Sequence, residues 1–529
     1  MRPTLRLASL VACTSLAAAP VLAQSASSAD PVIARIYDEG MHHSQAARLG
    51  QVLMDSIGPR LTGSAANRAA NDWVLRTYTA WGITAKNEQY GTWRDWTRGA
   101  SGLELVSPRT RVLEATMLAW SATTPAGGVT ADVVMIPTAS EIADSAGFVR
   151  WLGSVKGKLV LATMPQPTCR PDSDIRAWAD SAVYRHAVSV RDSATADWGA
   201  RFRAAHVDAR ALTPLLERAG AAGILSNSWS RGWGVDKIQS ARSRTVPSFD
   251  VSCEDYSLLA RLAANGQHPR VRATANATVA AAESPVFNTV ARVDGSEKPN
   301  EYVMLSAHLD SWDAGSGATD NGTGTITMLE AMRILRQAYP RPKRTILAGH
   351  WSGEEEGDIG SSAFATDHPE VLKGLQALFN QDNGTGEIDT VQTNGFAGAV
   401  PFLERWMNAM PSDITRNVYL VRPGVAHNES SDSDAFDCHN APGFFLTSND
   451  WSYGDYTWHT NRDTYDKINF DEIKRNATMI AMFVYKASED PSMIPRDGRV
   501  LDKNPRTGQS VSVPTCGIAP RSWAATQRP

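Results

Sequence analysis

Through the second half of the chain, apolar runs alternate with loops rich in Gly, Asp and Asn, and each run stops where chemistry-bearing residues begin. Residues 302–307 form an apolar run that ends at His308 and Asp310. A Gly-rich turn carrying Asp320 and Asn321 follows. Ile326, Leu329, Met332 and Leu335 then recur at helical spacing, and Pro340 and Pro342 close that helix. A second apolar run, 345–351, ends at Glu354 and Glu355. Further strand patterns lie at 376–380, 417–421 and 443–447, with helical patterns at 400–410 and 471–488. The alternation predicts an α/β fold whose mixed, mostly parallel sheet is flanked by helices. In such a sheet the loops at the carboxyl ends of the strands are where ligands bind.

The first half has a different texture. Residues 44–57 and 64–81 read as helices, joined by Gly58-Pro59-Arg60-Leu61-Thr62-Gly63-Ser64, a turn with Ser64 placed to cap the second helix. From about 111 the pattern becomes short strands (132–137, 158–164, 224–226, 246–251) and helices (211–219, 256–264). Residues 171–210 are polar and show no period that assigns them. His186 and His206 stand alone, without carboxylates at ligand spacing. The expected organisation is a discontinuous catalytic domain, 29–110 with 285–490, interrupted by an inserted domain at 111–284. A tail rich in Pro, Arg and Ser follows at 491–529.

A length of 529 residues favours two domains over one core. A net charge of −4 gives no case for nucleic acid or an anionic membrane as partner. Arg2 and Arg6 precede an apolar stretch, 7–22, and Val21-Leu22-Ala23 resembles a cleavage site before Gln24. Residues 1–23 are therefore expected to be a cleavable signal peptide, with the protein periplasmic or secreted. The rival lipoprotein signal ending at Cys13 leaves only 7–12 as its apolar region and is the weaker reading. No other run is long enough for an integral membrane span. Cys169, Cys253, Cys438 and Cys516 remain after export, an even number whose three possible pairings stay open.

Five candidate metal ligands occur in order: His308, Asp320, Glu355, Asp382 and His459. Each motif alone is weak, since His-x-Asp arises by chance and Asp-Asn-Gly is a common turn. Together, on successive loops, they read as a metal site. Imidazoles with carboxylates and no thiolate suit zinc, with cobalt or manganese as substitutes. Five ligands exceed what one catalytic tetrahedral ion takes, and fit two ions sharing one carboxylate. Asp310 is placed to accept the other N–H of the His308 ring. The adjacent Glu354 and Glu355 divide between a metal ligand and a general base acting on water.

At these residues the chain resembles the co-catalytic zinc exopeptidases, above all the plasma glutamate carboxypeptidase (carboxypeptidase Q) group. The matching segments are His308-Leu309-Asp310-Ser311-Trp312-Asp313, the Asp320 loop, 341–345, Trp351-x-x-Glu354-Glu355-x-Gly357, His459-x-x-x-Asp463-Thr464 and the 58–64 turn. The likeness runs from about 45 to 488, and the inserted region resembles a protease-associated domain around 217–224. The resemblance implies two zinc ions per chain, His308 and Asp382 on one, Glu355 and His459 on the other, Asp320 bridging, and Glu354 as general base. It also implies unblocked short peptides as substrates and a possible homodimer. Relatives such as glutamate carboxypeptidase II carry a Tyr before the last His for the oxyanion. Here Trp458 stands in that place, with Tyr453 and Tyr456 as nearby candidates, and Asp434 sits where relatives shape the substrate pocket. Two rivals share the core: a glutaminyl cyclase-like single-zinc acyltransferase, which lacks the inserted domain, and a transferrin-receptor-like binding protein, which lacks the full ligand set.

Overall fold

The structure is a computed structural model that describes residues 30–422 and 431–501 and, in the tail, 503, 508, 513 and 515–526. The expected signal segment 1–23, with Cys13, lies outside the described residues. Eight strands build the α/β half: β1 (Thr84–Ser107), β2 (Arg270–Val293), β3 (Lys298–His308), β4 (Arg344–Trp351), β5 (Leu375–Gln381), β6 (Ile388–Gln392), β7 (Tyr419–Leu420) and β8 (Gly443–Ser448). Their spatial order is β7-β6-β8-β5-β3-β4-β2, and β1 also pairs with β2. The central strand β3 runs parallel to β4 and β5, and β5 runs parallel to β8. Strands β2 and β6 join antiparallel. This is the mixed, mostly parallel sheet that the sequence predicts.

The central runs are uninterruptedly apolar because both faces are covered. Every residue of β4 and β5 is buried, as is 302–308 in β3. The alternating side chains divide between two cores. Val303, Leu305, Ile346 and Ala348 pack in one with helices α1 (Pro31–His42), α2 (Ala65–Ala80), α3 (Thr323–Ala338) and α4 (Phe470–Glu489). Tyr302, Met304, Leu347 and Trp351 pack in the other, under the helices at Ile359–Asp367 and Pro369–Gly374. Helix α3 buries all of 323–335, so it is a core helix rather than a surface one. Ser64 caps α2, its hydroxyl accepting from Asn67 N–H, as its place before the apolar run implies. The helix read over 44–57 divides into Ala46–Gln51 and a π-helical turn, Val52–Ile57.

Beyond β2 the hydrogen-bonded path continues through Val129–Met135, Leu159–Leu161, Gly223–Ser226, Ser248–Val251 and Ala115–Met117; with Arg111–Leu113, which pairs with β1, the sheet has fourteen strands among the described residues. The strands at 129–135, 159–161, 223–226 and 248–251 are mutually parallel. They pack in two further cores, one rich in Trp and one beneath the helices that follow residue 171. The unassigned stretch contains a helix of 25 residues, Ser181–Ala205, that buries only Arg201, Phe202 and Ala205. Disulfides join Cys169 to Cys253 and Cys438 to Cys516. Past Cys516 the tail returns across the molecule, where Arg521 C=O accepts from Thr92 N–H and Trp523 packs on Trp93 and Trp120. Among the described residues, no helix is long and apolar enough to cross a membrane.

Candidate metal centre

The strand register brings the predicted residues to one edge. Trp351 of β4 lies opposite His308 of β3, and Asn380 of β5 lies opposite Ser306, so the three strands end nearly level. The chain then leaves each strand into a loop carrying His308–Asp310, Glu354–Glu355 or Asp382. Asp320 enters from the turn before α3, and His459 from the loop beyond β8.

All five predicted ligands meet there. His308 Nε2 lies 3.1 Å from Asp382 Oδ1 and 3.3 Å from Asp320 Oδ1. His459 Nε2 lies 2.9 Å from Glu355 Oε2 and 3.3 Å from Asp320 Oδ2. Asp320 thus presents one oxygen to each imidazole. Glu354 stands beside the first group, its Oε2 3.9 Å from His308 Nε2. Two sets of donor atoms result, His308 with Glu354 and Asp382, and Asp320 with Glu355 and His459, each within 4.8 Å. Apart from the facing His459 ring, Asp320 Oδ2 and both Glu355 oxygens are buried without a hydrogen-bond donor. Burial, with the Asp320 charge beside it, pushes the Glu355 carboxyl up to about 7, and burial also pushes the Glu354 carboxyl well up. A pocket holding this many desolvated carboxylates against two imidazoles is short of positive charge.

A surrounding layer fixes these groups. The nearest acceptor to His308 Nδ1 is the Asp310 carbonyl at 3.1 Å, with the Asp310 carboxylate at 3.6 Å. That carboxylate accepts from Thr62 Oγ1 and from the backbone N–H groups of Glu354 and Glu355, so it orients the glutamate loop as well as the ring. Ser431 Oγ donates to Asp382 Oδ2 at 2.8 Å. Asp463 accepts from Thr319 N–H, Thr319 Oγ1 and Asp320 N–H, holding the Asp320 turn.

Two residues to which sequence reading assigned no role complete this layer. Arg60, in the turn read as a plain connection, has no exposed surface. Its guanidinium donates to the carbonyls of Leu309, Gly58, Ser316 and Gly317 at 2.6–2.9 Å, clamping the loop between His308 and Asp320. Lys237 comes from the region between β1 and β2. Its segment pairs with the His459 segment: Ile238 N–H donates to His459 C=O, Asn461 N–H donates to Asp236 C=O, and Lys237 and Thr460 form a β-bridge. These bonds secure His459 in a left-handed conformation (φ 53°) that a non-glycine residue adopts only when held.

A cavity of about 810 Å³ opens over the cluster, lined among others by Asp358, Phe445, Asp450, Tyr453 and Trp458. Of the candidate substrate contacts, Tyr453 and Trp458 line it. Burial and the neighbouring Asp320 and Asp382 charges hold the Tyr453 phenol well above its ordinary value, so it is a neutral donor. Trp458 stacks on the His459 ring, centroids 4.2 Å apart. Tyr456 and Asp434 do not line it. Tyr456 is 40% exposed, and Asp434 faces a neighbouring recess with Asp358 and the Cys438–Cys516 bridge.

Imidazoles and carboxylates are thus gathered at the carboxyl edge of parallel strands, beneath an open cleft, in two groups that could each hold a metal ion. Residues 288–484 match the model of peptidase family M28. Carboxypeptidase Q of Mus musculus is 26% identical over 450 residues, 85% of this chain and 86% of that protein. Among solved structures, the peptidase M28 precursor of Shewanella amazonensis superposes with a TM-score of 0.66 at 22% identity, covering 88% of this chain and 97% of that one. A zinc aminopeptidase of Bacillus subtilis gives 0.54 at 18% identity, covering 86% and 97%.

Proposed function

We propose that this chain is an exported exopeptidase that binds two zinc ions and hydrolyses short peptides, with Glu354 as general base. The observation that carries the reading is Asp320, whose two oxygens each lie 3.3 Å from a different imidazole. Tetrahedral ligands at about 2.0–2.1 Å from zinc sit roughly 3.3 Å from one another. The separations of 2.9–3.3 Å across both groups fit that spacing, and carboxylate oxygens buried with no donor besides an imidazole fit a cation. His308 and Asp382 would hold one ion, Glu355 and His459 the other, with Asp320 shared. Zinc bound there would polarise the scissile carbonyl and lower the pKa of water.

The chain's own residues supply the rest. Glu354 takes a proton from the attacking water as its oxygen bonds the carbonyl carbon, and passes that proton to the amine as the C–N bond breaks. Tyr453 donates its phenol proton in a hydrogen bond to the carbonyl oxygen as charge builds there. This is the role that a tyrosine next to the last histidine would fill in relatives. The two disulfides support export. Residues 111–284 act as an inserted domain that braces the cleft. A glutaminyl cyclase-like site with one ion leaves the second imidazole and its carboxylates without purpose.

The test is Glu354→Gln, assayed on a panel of dipeptides with metal analysis. It should keep both ions and lose nearly all turnover, roughly 10²–10⁴-fold for removal of a general base. Near wild-type hydrolysis by this variant would refute the role of Glu354, and one zinc per wild-type chain would refute the two-ion site.

A further inference from the structure

The cleft is acidic. No Arg or Lys is among the described residues that line it, while Asp358, Asp450 and the ligand carboxylates are. A short peptide with a free C-terminus brings a carboxylate into that surface, and for cleavage of its last peptide bond the carboxylate lies only one residue past the reacting carbon. Some cation must meet it. Lys237 stands against the cleft lining. Its ammonium donates to the carbonyl oxygens of Trp458 and Gly454 and lies 4.3 Å over the Trp458 ring. Both of those residues line the cleft, and Trp458 immediately precedes the ligand His459.

The same lysine is left without an anion. Among the described residues, no carboxylate forms an ion pair with it, its two hydrogen bonds both go to neutral carbonyls, and an ammonium has three protons to donate. Its backbone is fixed from both sides, Lys237 N–H donating to Asp250 Oδ1 while the residue bridges to Thr460. Burial pushes the ammonium down to about 8, against the upward pull of Asp320 and Asp250, which is the behaviour of a desolvated cation lacking a direct partner.

We propose that Lys237 determines specificity by pairing with the free C-terminal carboxylate of the substrate, so that the insert, and not the α/β layer, selects peptides cleaved at their last bond. The inference rests on the exopeptidase reading above. It differs from an oxyanion role, which would serve blocked and unblocked peptides alike, and from a purely structural brace, which would do the same.

The experiment compares matched pairs of dipeptides and their C-terminal amides on the zinc-loaded, full-length protein. Wild type is expected to favour the free acid over the amide in kcat/KM by roughly 10- to 100-fold, the range of one charge-assisted hydrogen bond. Lys237→Met should collapse that ratio to about one, chiefly through a higher KM for the free acid, and Lys237→Arg should restore part of it. A wild-type ratio near one overturns the proposal without any variant. So does a Lys237→Met enzyme whose activity falls on both substrates with the ratio intact, the signature of an oxyanion or bracing role. Hydrolysis of the amides by wild type keeps the peptidase reading standing in either case. Zinc-loaded wild type that cleaves neither member of any pair overturns both.

Discussion

Replacing Arg60 with methionine removes the clamp on the loop between His308 and Asp320 while nearly keeping its volume. Four carbonyl oxygens, of Leu309, Gly58, Ser316 and Gly317, lose their donor at once in a fully buried site. An orphaned buried acceptor costs about 1–3 kcal/mol, but four around one gap do not add, because a water or a small loop shift serves several. Hydrogen bonds to a charged group are worth about 1.5–3 kcal/mol each, and with part of the loss recovered by relaxation roughly 4 kcal/mol is expected here. With about 2.1 cal/mol/K of unfolding entropy per residue, a chain of this size melting as one unit would lose about 4 °C. The loop that relaxes joins His308 to Asp320, so metal retention should fall with stability. Arg60→Lys should land between, since an ammonium offers three donors from one point and cannot span four acceptors. Thermal melts followed by Trp fluorescence, with zinc content measured after dialysis, are the assay. Arg60→Met with an unshifted melt and full metal content would refute the clamp.

Two further outcomes follow from other sites. Tyr453→Phe should lower kcat roughly 10²–10³-fold, the usual effect of losing one donor to a developing oxyanion, with little change in KM; an unchanged kcat would remove Tyr453 from the reaction. His368 donates to Glu88 across 2.8 Å, and that bond, opposed by burial and aided by the Glu88 charge, raises its pKa. A raised folded-state value means the contribution is complete below the unfolded pKa of about 6.5 and fades as pH rises through the folded one. His368→Gln should therefore lower the urea midpoint at pH 6 more than at pH 9, and equal shifts at both would contradict it.

The central layer was legible because burial on both faces makes β3, β4 and β5 unbroken apolar runs, and because the candidate ligands stand where those runs stop. The long strands β1 and β2 escaped notice for the opposite reason. Much of β1 is half-exposed, so Thr, Arg and Gly interrupt any alternation, and its pairing with β2 joins residues about two hundred positions apart. Helix Ser181–Ala205 touches the core only near its end, so it has no apolar stripe to read. At the site, the place of Asp320 beside both imidazoles could be anticipated, but the contacts of Arg60 could not. A guanidinium bound only to carbonyls leaves no mark in the sequence of its partners. The disulfide pairs and the reach of Lys237 to Trp458 are likewise contacts of the folded chain, set by how the region after β1 lies against the loop after β8.

The two imidazoles differ in how they are housed. The His308 side chain is wholly enclosed at the end of the central strand, whereas that of His459 is 27% exposed and kept in place by bonds from another part of the fold. On the two-ion reading, exchange with solution is then unequal. The ion on the His459 side leaves and returns first, through small opening motions of the 236–238 segment that pairs with it, while the other persists until the sheet edge itself loosens. A chelator would draw the metals out in sequence, and the half-emptied protein would keep the ion that depends least on its neighbours.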